Sequence, residues 1–542
     1  MEPESQTPAR WRQRYTDYRG FLPSPRAATA RDVRAIWERR VEAAGAGHPI
    51  WMHVHVPYCP QICSFCHCGK LMLTSPAQLD EWVDRAAAEA AFFAPALRGA
   101  RVYRQYFGGG TPNLLAPAQL DRLLDLLEAS FDHDPAGRRT LEVLPSAYQT
   151  GTLEVAARHG VRRISAGVQS TEVRLLDRVG RAPDIAPLAR IMEEAARHGV
   201  DDVNVDLAWR LPGDTEELFF RSLAAVLDLR PTSVSVHLLA PTPLNPMFAS
   251  PEEELAIFRE FVGFPEGESA RRLAETHPEF SWRRLPTVLT LARRDYVEAG
   301  RYYTWQYSDM ETVGVDMFGL GRFALSHLLG GARYENLTRV DRFDPDEPGF
   351  RLAYTDGAID GAMDAIGELV RDDACDLAAL RARYGDEDLA PVRAALDDLV
   401  ARKHLRREGD RYRRKPDPGS LYLGPVGELL DVAAARVEAL NPSDAPAAKT
   451  RKVSLKHAVE DPPSVTLDLG AHRVRLFVEA ARADKNYYRV VGRFGLYYTD
   501  DGGAPRDALH EGLRRAATAL EGVTAATAVG ACAALQGRLD GP

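Results

Sequence analysis

Between about residue 50 and residue 330, short apolar runs alternate with segments of helical period, and this alternation constrains the fold most strongly. The pattern predicts parallel strands joined by crossover helices. The six predicted strands are Met52–Val56, Arg104–Phe107, Thr140–Leu144, Arg163–Val168, Asp202–Leu207 and Ser233–Leu238. This is an α/β class fold, a partial (β/α)6 barrel, in which the carboxyl ends of the strands share one rim.

A chain of 542 residues is too long for one ordinary core, so several domains are expected. After the barrel the pattern becomes helical, with two helices and a strand-like turn that predict a winged-helix-like module. The predicted units are a lead-in at 1–48, the barrel at 49–335, the helical module at 336–440, a linker at 441–456 and a small α+β appendage at 457–542.

The composition is that of a globular protein, with 45% hydrophobic and 27% charged residues. Lys and Arg number 68 against 77 Asp and Glu, which gives a net charge of -9. Nucleic-acid binding asks for a concentrated basic surface, so no such partner is expected. No run approaches the roughly 18 apolar residues of a membrane span, and the amino terminus has no signal-peptide pattern. We therefore expect a cytoplasmic protein without a membrane partner.

Three cysteines, Cys59, Cys63 and Cys66, stand at CxxxCxxC spacing directly after the first predicted strand. Thiolate is the ligand that iron-sulfur chemistry selects, so three thiolates on one loop can hold three irons of a [4Fe-4S] cluster. The fourth iron then has no protein ligand, and an open metal position is typical of a site that binds a reactive group. With this spacing the expected guest is S-adenosylmethionine.

A structural zinc site is the main alternative at these cysteines. Zinc normally takes four nitrogen or sulfur ligands, often from two CxxC pairs, and no second pair is present. His67 or Cys68 could complete such a site, so zinc stays open from the sequence alone. Disulfides are a weaker alternative, because Cys375 and Cys532 stand alone and four crowded thiols favour a reducing compartment.

A glycine triplet, Gly108 to Gly110, ends the second predicted strand and is followed by Thr111. Three consecutive glycines let backbone approach a ligand closely, and their free N–H and C=O groups can bind the ammonium and carboxylate of an amino acid. A glycine triplet alone occurs in many turns. Its place one βα unit after the cysteines favours a ligand site.

Polar side chains interrupt three successive apolar strands, at Glu142, Gln169 and Asp206. Buried polar groups need partners, so each is either satisfied by neighbouring backbone or turned toward a ligand. Three such residues at one rim favour a ligand as their partner.

Arg181 could clamp a carboxylate through two parallel N–H bonds, or be a solvated helix residue. Phe65, between two of the cysteines, could pack on an adenine ring or shield the cluster.

With these motifs the chain resembles radical S-adenosylmethionine enzymes, and among them the oxygen-independent coproporphyrinogen III oxidase (HemN-like) family. The resemblance extends from about Arg14 to Leu440. The matching segments are Cys59 to Cys68, Gly108 to Pro112, Gly167 to Ser170, Asp206 with Leu211 to Gly213, Gly319 to Gly321, and the lead-in Arg14 to Tyr18.

The resemblance implies the roles of these residues. Cys59, Cys63 and Cys66 would ligate the cluster, while Cys68 would be a nearby thiol and not a ligand. The residues implied to contact S-adenosylmethionine are Gly109, Gly110, Thr111, Glu142, Gln169, Arg181, Asp206, Ala208 and Ala240. The family can hold a second molecule of S-adenosylmethionine beside the first. A low-potential electron donor such as flavodoxin or ferredoxin would be the protein partner.

The chain departs from the family before the Gly319 to Gly321 loop, where residues 299–307 are rich in tyrosine and tryptophan. His53 also stands where the family usually has tyrosine. An aromatic cluster suits a planar or aromatic small-molecule substrate by stacking, although core packing explains such clusters too. We take Cys68, Tyr302 and Trp305 as candidate catalytic residues.

These departures set the expected reaction. A 5'-deoxyadenosyl radical would abstract hydrogen, and the main expectation is methyl or methylene transfer, as in class C radical S-adenosylmethionine methyltransferases and cyclopropanases. The enzymatic alternative is oxidative decarboxylation of coproporphyrinogen III. The non-enzymatic alternatives are haem binding without turnover, as in haem chaperones, and a zinc-stabilised winged-helix regulator.

Overall fold

The computed structural model describes residues 25–66, 68–239, 260–261, 263–284, 288–302, 315–414, 425–441, 464–468, 473–480, 489–491, 494–499, 506–520 and 528–539. The strands are β1 (Arg26–Ala28), β2 (His48–Val56), β3 (Tyr58–Cys59), β4 (Leu71–Met72), β5 (Ala100–Gly109), β6 (His133–Val143), β7 (Val161–Gln169), β8 (Asp202–Trp209), β9 (Ser233–Leu238), β10 (Phe280–Arg284), β11 (Val288–Arg293), β12 (Asp316–Leu320), β13 (Leu325–Leu328), β14 (Ala332–Asn336), β15 (Phe350–Tyr354), β16 (Ala374–Asp376), β17 (Leu405–Glu408), β18 (Arg411–Arg414), β19 (Ser464–Asp468), β20 (Arg473–Ala480), β21 (Arg489–Val491) and β22 (Phe494–Thr499).

The helices are α1 (Ala30–Ala44), α2 (Ala77–Phe93), α3 (Pro117–Ser130), α4 (Thr152–Arg158), α5 (Val173–Arg178), α6 (Ile185–Arg197), α7 (Glu216–Leu227), α8 (Glu268–Thr276), α9 (Arg294–Glu298), α10 (Gly357–Arg371), α11 (Leu377–Tyr384), α12 (Asp386–Ala401), α13 (Pro425–Leu440), α14 (Arg506–Leu520) and α15 (Ala528–Leu539). No helix in the described part of the chain has both the length and the apolarity of a membrane span.

One large mixed sheet organises the molecule, in the order β1-β15-β14-β13-β12-β2-β5-β6-β7-β8-β9-β11-β10. The run from β12 through β2 to β9 is parallel, and the strands outside this run pair antiparallel. The six predicted strands correspond to β2 and β5 to β9, so the α/β fold class is confirmed. The short strand β12 adds a seventh parallel strand. Its glycine at Gly319 made this segment look like a loop.

The two faces of the parallel strands differ in chemistry, because successive side chains on a strand point to opposite sides. Along β2, Met52 and Val54 join a buried apolar core with Trp82 of α2. His53 and His55 alternate with them, so they face the other side of the sheet. They are buried as well. The inner face of the barrel therefore carries polar side chains.

A second apolar core joins the later barrel strands to the helical region. Val205 of β8 and Val234 of β9 belong to the same buried cluster as Ile366 of α10 and Leu396 of α12. In that region α11 and α12 accompany a three-stranded antiparallel sheet of order β16-β18-β17, the winged-helix-like pattern that was expected. The main sheet itself continues to β15, beyond residue 335, and the division into domains stays a prediction.

The carboxyl-terminal region is a small α+β unit, as predicted. Strands β19 to β22 form an antiparallel sheet of order β19-β20-β22-β21. The buried side chains Leu476 of β20, Leu513 of α14 and Leu535 of α15 show which elements contribute apolar side chains to its interior.

Candidate cofactor site

The cysteine loop, residues 57–73, follows the carboxyl end of β2, and its last residues lie beside its first. Its base is closed by pairing of β3 with β4, which places Cys59 opposite Met72. The backbone N–H of Leu71 donates to the carbonyl of Pro57 at 2.7 Å, and that of Leu73 to the carbonyl of Cys59 at 2.9 Å. The loop is thus held at both ends.

The first three cysteines lie together on this loop. Cys59 and Cys63 are buried and Cys66 is partly buried, and the Cys66 N–H donates to the Cys63 carbonyl at 3.2 Å. Burial raises the pKa of the Cys59 thiol to about 12, and the Cys66 and Cys63 thiols add to the shift. Burial also raises the pKa of Cys63. Thiolates in such surroundings need a positive partner, and a bound metal supplies one.

The positions of the thiols bear on which metal group this loop could hold. Among the described residues, no three of the Sγ atoms of Cys59, Cys63, Cys66 and Cys68 gather within 4.8 Å of one another. Tetrahedral zinc with bonds of about 2.3 Å would hold its sulfurs about 3.8 Å apart. Three soft thiolates spread around one loop therefore fit a [4Fe-4S] cluster better than zinc. His67, the other predicted zinc ligand, lies outside the described residues.

Hydrogen-bond donors from neighbouring βα units reach the buried sulfurs. Thr111 Oγ1 donates to Cys59 Sγ at 3.5 Å, and Arg181 Nη1 donates to Cys63 Sγ at 3.7 Å. Both contacts lower the pKa of the thiol concerned, against the effect of burial. Donors to sulfur orient the ligands of an iron-sulfur site and tune its potential.

The glycine triplet is pressed against the cysteine loop. Gly109 has φ 107°, and a Cβ there would lie 2.6 Å from the ring of His55. A Cβ at Gly110 would lie 2.5 Å from the carbonyl oxygen of Tyr58, and the Gly110 N–H donates to the Val56 carbonyl at 2.7 Å. Side chains are excluded at both positions, so backbone alone faces the site.

Glu142 is a buried carboxyl group at the same rim. Burial raises its pKa to about 8, and the charge of Asp206 contributes. The hydroxyl of Tyr106 and the backbone N–H of Gly109 donate to it and act in the opposite direction. A carboxylate with so high a pKa lacks a cationic partner. The ammonium group of an amino acid would provide that partner.

Asp206 has donors already in place on the inner face. Ser165 Oγ donates to Oδ2 at 2.8 Å, Asn204 Nδ2 donates to Oδ1 at 2.8 Å, and His237 Nε2 lies 3.3 Å from Oδ1. These residues come from β7, β8 and β9, so three strands fix one carboxylate. Such an anchored group can accept hydrogen bonds from a ligand without reorganising.

Arg181 is held by three groups. It donates through Nη2 to the Gly167 carbonyl, through Nη1 to Cys63, and it lies 3.0 Å from Asp184 Oδ2. Asp184 in turn accepts the Ser146 N–H at 2.7 Å. The guanidinium therefore links β7 to the cysteine loop, a contact that sequence reasoning did not anticipate.

The comparisons with known proteins agree with this geometry. A family profile described as Radical SAM superfamily matches residues 53–224, which hold the cysteine loop, the glycine triplet, Glu142 and Asp206. The chain carries a radical SAM domain. The family uses a [4Fe-4S] cluster and S-adenosylmethionine, and the arrangement of thiols, glycines and carboxyl groups in this domain fits both.

Relatives of the radical SAM domain include named oxidases and a chaperone. The oxygen-independent coproporphyrinogen III oxidase of Escherichia coli K12 is 28% identical over 319 residues, 56% of this chain and 67% of that protein. The same-named protein of Salmonella typhimurium is 31% identical over 188 residues, 35% of this chain and 41% of that protein. The heme chaperone HemW of Lactococcus lactis is 29% identical over 187 residues, 34% and 48% of the two chains. The chain is thus HemN-like, and the matches span less than half of the second and third proteins.

A solved structure shares the fold. Coproporphyrinogen III oxidase (HemN) from Escherichia coli superposes with a TM-score of 0.59 at 23% identity, covering 73% of this chain and 92% of that one. At this identity the likeness shows the fold alone. It confirms the partial barrel with added helices.

An apolar cluster beside the cysteine loop of the radical SAM domain contains two further predicted residues. Phe65 and Ala208 are buried there with Cys63, Val179 and Leu211. The Ser64 N–H donates to the Val179 carbonyl at 3.0 Å, which ties the loop to the end of α5. Ala240, the last predicted nucleoside contact, lies outside the described residues.

Gln169 adopts an unusual backbone conformation at the end of β7. Its φ is 69°, in the left-handed region, which is uncommon for residues other than glycine. Such strain is concentrated at functional sites in many proteins. Gln169 is the last residue of β7, so it lies at the predicted rim. Its side chain and the Arg181 guanidinium are both close to Gly167.

Of the candidate catalytic residues, the two that the structure describes, Cys68 and Tyr302, are not brought together. Cys68 is exposed, and a contact with the Cys66 thiol raises the pKa of its own thiol. Tyr302 lies near α9, where its N–H donates to the Tyr296 carbonyl at 3.1 Å. The Tyr296 hydroxyl donates to the carbonyl of Asp201, just before β8 begins. Tyr302 is therefore at the amino-terminal rim, opposite the cysteine loop. Trp305 lies outside the described residues.

Sequence reasoning missed several residues of the site. His55 donates through Nε2 to the Gly69 carbonyl at 2.8 Å, since a carbonyl can only accept. Burial lowers the pKa of His55 to about 4 and that of His53 to about 3, so both imidazoles are neutral at pH 7. Polar and apolar residues alternate along β2, and this pattern could have predicted that His53 and His55 lie on the inner face. The same alternation in β8 indicates Asn204 and Asp206.

Proposed function

We propose that this chain is a radical S-adenosylmethionine oxidoreductase that decarboxylates coproporphyrinogen III without oxygen. The observation that carries the radical chemistry is the set of three thiols on one loop that is pressed against a glycine triplet. The substrate assignment draws on the relatives, which are named as coproporphyrinogen III oxidases.

In this proposal Cys59, Cys63 and Cys66 hold the cluster. When bound, the cluster and S-adenosylmethionine would supply one-electron chemistry for hydrogen abstraction from the substrate, and the electron left when the substrate radical loses carbon dioxide would pass to a one-electron acceptor. The donors Thr111 and Arg181 orient the sulfurs of Cys59 and Cys63. The electron would come from a low-potential donor such as flavodoxin or ferredoxin.

The remaining residues of the rim bind and orient S-adenosylmethionine. Gly109 and Gly110 would offer backbone groups to its methionine portion, and Glu142 would take its ammonium group. Asp206, fixed by three strands, would accept from hydroxyl groups of the ribose, and Gln169 and Ala208 would contact the same ligand. A misplacement of about 1 Å can cost on the order of a hundredfold in rate, which explains why so many contacts fix each of these groups.

Methyl or methylene transfer, the main expectation from the sequence, gains no support from the relatives reported above. It was motivated by the aromatic stretch after Ala299. Tyr302 of that stretch lies at the opposite rim, and residues 303–314 lie outside the described residues. The relatives instead support the alternative, coproporphyrinogen oxidation.

The test is anaerobic reconstitution of the full chain with iron and sulfide, followed by reduction with flavodoxin in the presence of S-adenosylmethionine and coproporphyrinogen III. We expect iron and sulfide in equal amounts, formation of 5'-deoxyadenosine, and release of carbon dioxide. Cys59→Ala should abolish all three. Cys375→Ala, at a buried cysteine of β16 outside the radical SAM domain, is the matched control and should retain them.

Three results would contradict the proposal in different ways. If metal analysis finds zinc and no sulfide in the protein, the protein has no iron-sulfur cluster and the proposed radical chemistry is wrong. S-adenosylhomocysteine formed without carbon dioxide would favour methyl transfer. A haem titration with a stoichiometric absorbance change, together with no cleavage of S-adenosylmethionine, would favour a haem chaperone, the function named for the HemW relative.

A further inference from the structure

A fully buried ion pair lies on α2, outside the cysteine loop. Arg85 and Glu89 stand one helical turn apart, and both side chains have 0% exposure. Removing two charges from water costs several kcal/mol per ion, which their attraction offsets only when their other hydrogen-bonding groups are also satisfied. The partners of this pair therefore indicate what it holds in place.

The partners of Glu89 come from the chain that follows β12. Its carboxylate accepts the backbone N–H of Gly321 at 3.0 Å and the Asn336 side-chain amide at 2.6 Å. Arg85 donates to the Thr338 hydroxyl and, through Nε, to the Arg339 carbonyl at 3.0 Å. The ion pair thus fixes the turn after β12 at Gly321.

This turn leans directly on the end of β2 and on the cysteine loop. Gly321 has φ 100°, and a Cβ there would lie 2.5 Å from the carbonyl oxygen of His55. Phe323 has φ 70°, a conformation uncommon for a residue with a Cβ. The ring of Phe323 lies 6.0 Å from that of His55 and fills the space in which a side chain at Gly69 would stand.

Gly69 is the point where this support meets the cysteine loop. His55 Nε2 donates to its carbonyl at 2.8 Å. The next residue, Lys70, donates through Nζ to the carbonyls of Cys66 and Cys68, at 2.6 and 3.1 Å. The backbone around Cys66 is therefore positioned from the Gly69 side of the loop.

We propose that Glu89 is a positioning residue. Through Gly321 and Phe323 it holds Gly69, and so sets the backbone of the third cysteine, Cys66. The inference rests on the proposed function only in that a cluster occupies the three thiols. It is independent of the substrate.

The first test uses the protein without metal. Trypsin can cleave after Lys70, and cleavage requires the loop to leave its place against Phe323. Glu89→Gln keeps the shape of the side chain but removes its charge, and Phe323→Ala removes the ring while leaving the ion pair intact. We expect both variants to be cut after Lys70 about tenfold faster than the parent, because cleavage follows the population in which the loop is open and loss of these contacts raises that population.

The second test uses the reconstituted protein. Iron release to a ferrous chelator and the electron paramagnetic resonance spectrum of the reduced protein are recorded for the same variants. Loss of a contact behind a ligand weakens metal binding by about 10 to 100-fold, so we expect iron release about tenfold faster and a broadened spectrum.

The matched control is Asp360→Asn. Asp360 is also a buried carboxylate, in an ion-pair network with His327 and Arg333. This network lies at the other end of β12 from Gly321, because His327 is the strand partner of Met317 near the start of β12. It should lower the thermal midpoint without changing iron release or cleavage after Lys70. Parent-like behaviour of Phe323→Ala and Glu89→Gln would overturn the proposal, as would equally fast release from Asp360→Asn. If Glu89→Gln does not fold, Glu89→Asp, which keeps the charge but shortens the reach to Gly321, takes its place with the same expectation.

Discussion

The hydroxyl of Tyr106 donates a hydrogen bond to the carboxyl group of Glu142 on the inner face of the barrel. The two residues come from neighbouring parallel strands, and the backbone N–H of Gly109 reaches the same carboxyl group. One buried acid thus ties the strand that ends in the glycine triplet to the next strand. No cationic side chain of the described site is a close partner of this carboxyl group, so a cationic group of a ligand could pair with it.

Glu142→Gln should weaken binding of S-adenosylmethionine. The amide cannot pair with the ammonium group, and a hydrogen bond to a charged group contributes about 1.5 to 3 kcal/mol, so the dissociation constant should rise about 10 to 100-fold. Equilibrium dialysis on the reconstituted protein measures this. Tyr106→Phe is the comparison variant: it keeps the carboxyl group but removes a donor that lowers the pKa of Glu142, so its affinity should fall less than that of Glu142→Gln. Equal loss in both variants would contradict an ammonium contact.

Gly110→Ala should disable the site by forcing the glycine triplet away from the cysteine loop. The added Cβ would meet the backbone oxygen of Tyr58 at 2.5 Å, and backbone cannot turn aside as a side chain can. Overpacking of this kind costs about 1 to 3 kcal/mol, and cleavage of S-adenosylmethionine should be lost. Gly427→Ala, in α13 with nothing within 4 Å of the new Cβ, is the control and should retain cleavage. Wild-type cleavage by Gly110→Ala would refute the close approach.

His53 should make the metal-free protein sensitive to acid. Burial, with a smaller effect of His55, lowers the pKa of His53 from 6.5 to about 3. Between these values the unfolded chain binds more protons than the folded chain, so stability falls as the pH falls from about 6.5 toward 3. The slope is at most about 1.4 kcal/mol per pH unit for one group. The urea midpoint, measured at pH 7, 6 and 5, should fall with decreasing pH in the parent. It should fall less steeply in His53→Asn. An unchanged slope in that variant would show that His53 does not titrate on unfolding.

Asp360→Asn should destabilise the protein most clearly near neutral pH. His327 and Arg333 hold the pKa of this carboxyl group well below its usual range, although burial opposes them. A carboxyl group whose pKa is lowered on folding adds stability above its unfolded pKa of about 3.9, and this stability is lost as the pH falls below that value. Breaking such a buried pair costs about 3 to 5 kcal/mol. Thermal unfolding at pH 7 and at pH 3.5 should show a large difference from the parent at pH 7 that shrinks at pH 3.5.

Local patterns predicted the elements of this molecule well. The predicted strands Met52–Val56 and Arg163–Val168 lie within the observed strands β2 and β7. Ser233–Leu238 was predicted residue for residue, because a run of alternating apolar and small polar residues reads the same in the sequence as in the sheet. The short strand β12 was missed, since a strand of five buried residues containing glycine has no distinctive period.

The sequence by itself determined the barrel and the composition of its rim. Motifs that end successive parallel strands must meet at one edge, so the cysteines, the glycine triplet, Glu142 and Asp206 could be placed together before any coordinates were known. This inference needs only strand order and direction, which the alternation of strands and helices supplies.

Only the tertiary structure decided how those groups are held. Glu89 and Gly321 are 232 residues apart in the chain, and nothing in the local pattern around either one indicates the other. Arg181 reaches Cys63 because of strand register, while Tyr302 was carried to the opposite rim by the antiparallel return of β11. Hydrophobic period records which face of an element is buried, but the pairing of buried polar groups depends on distances between elements that are distant in sequence.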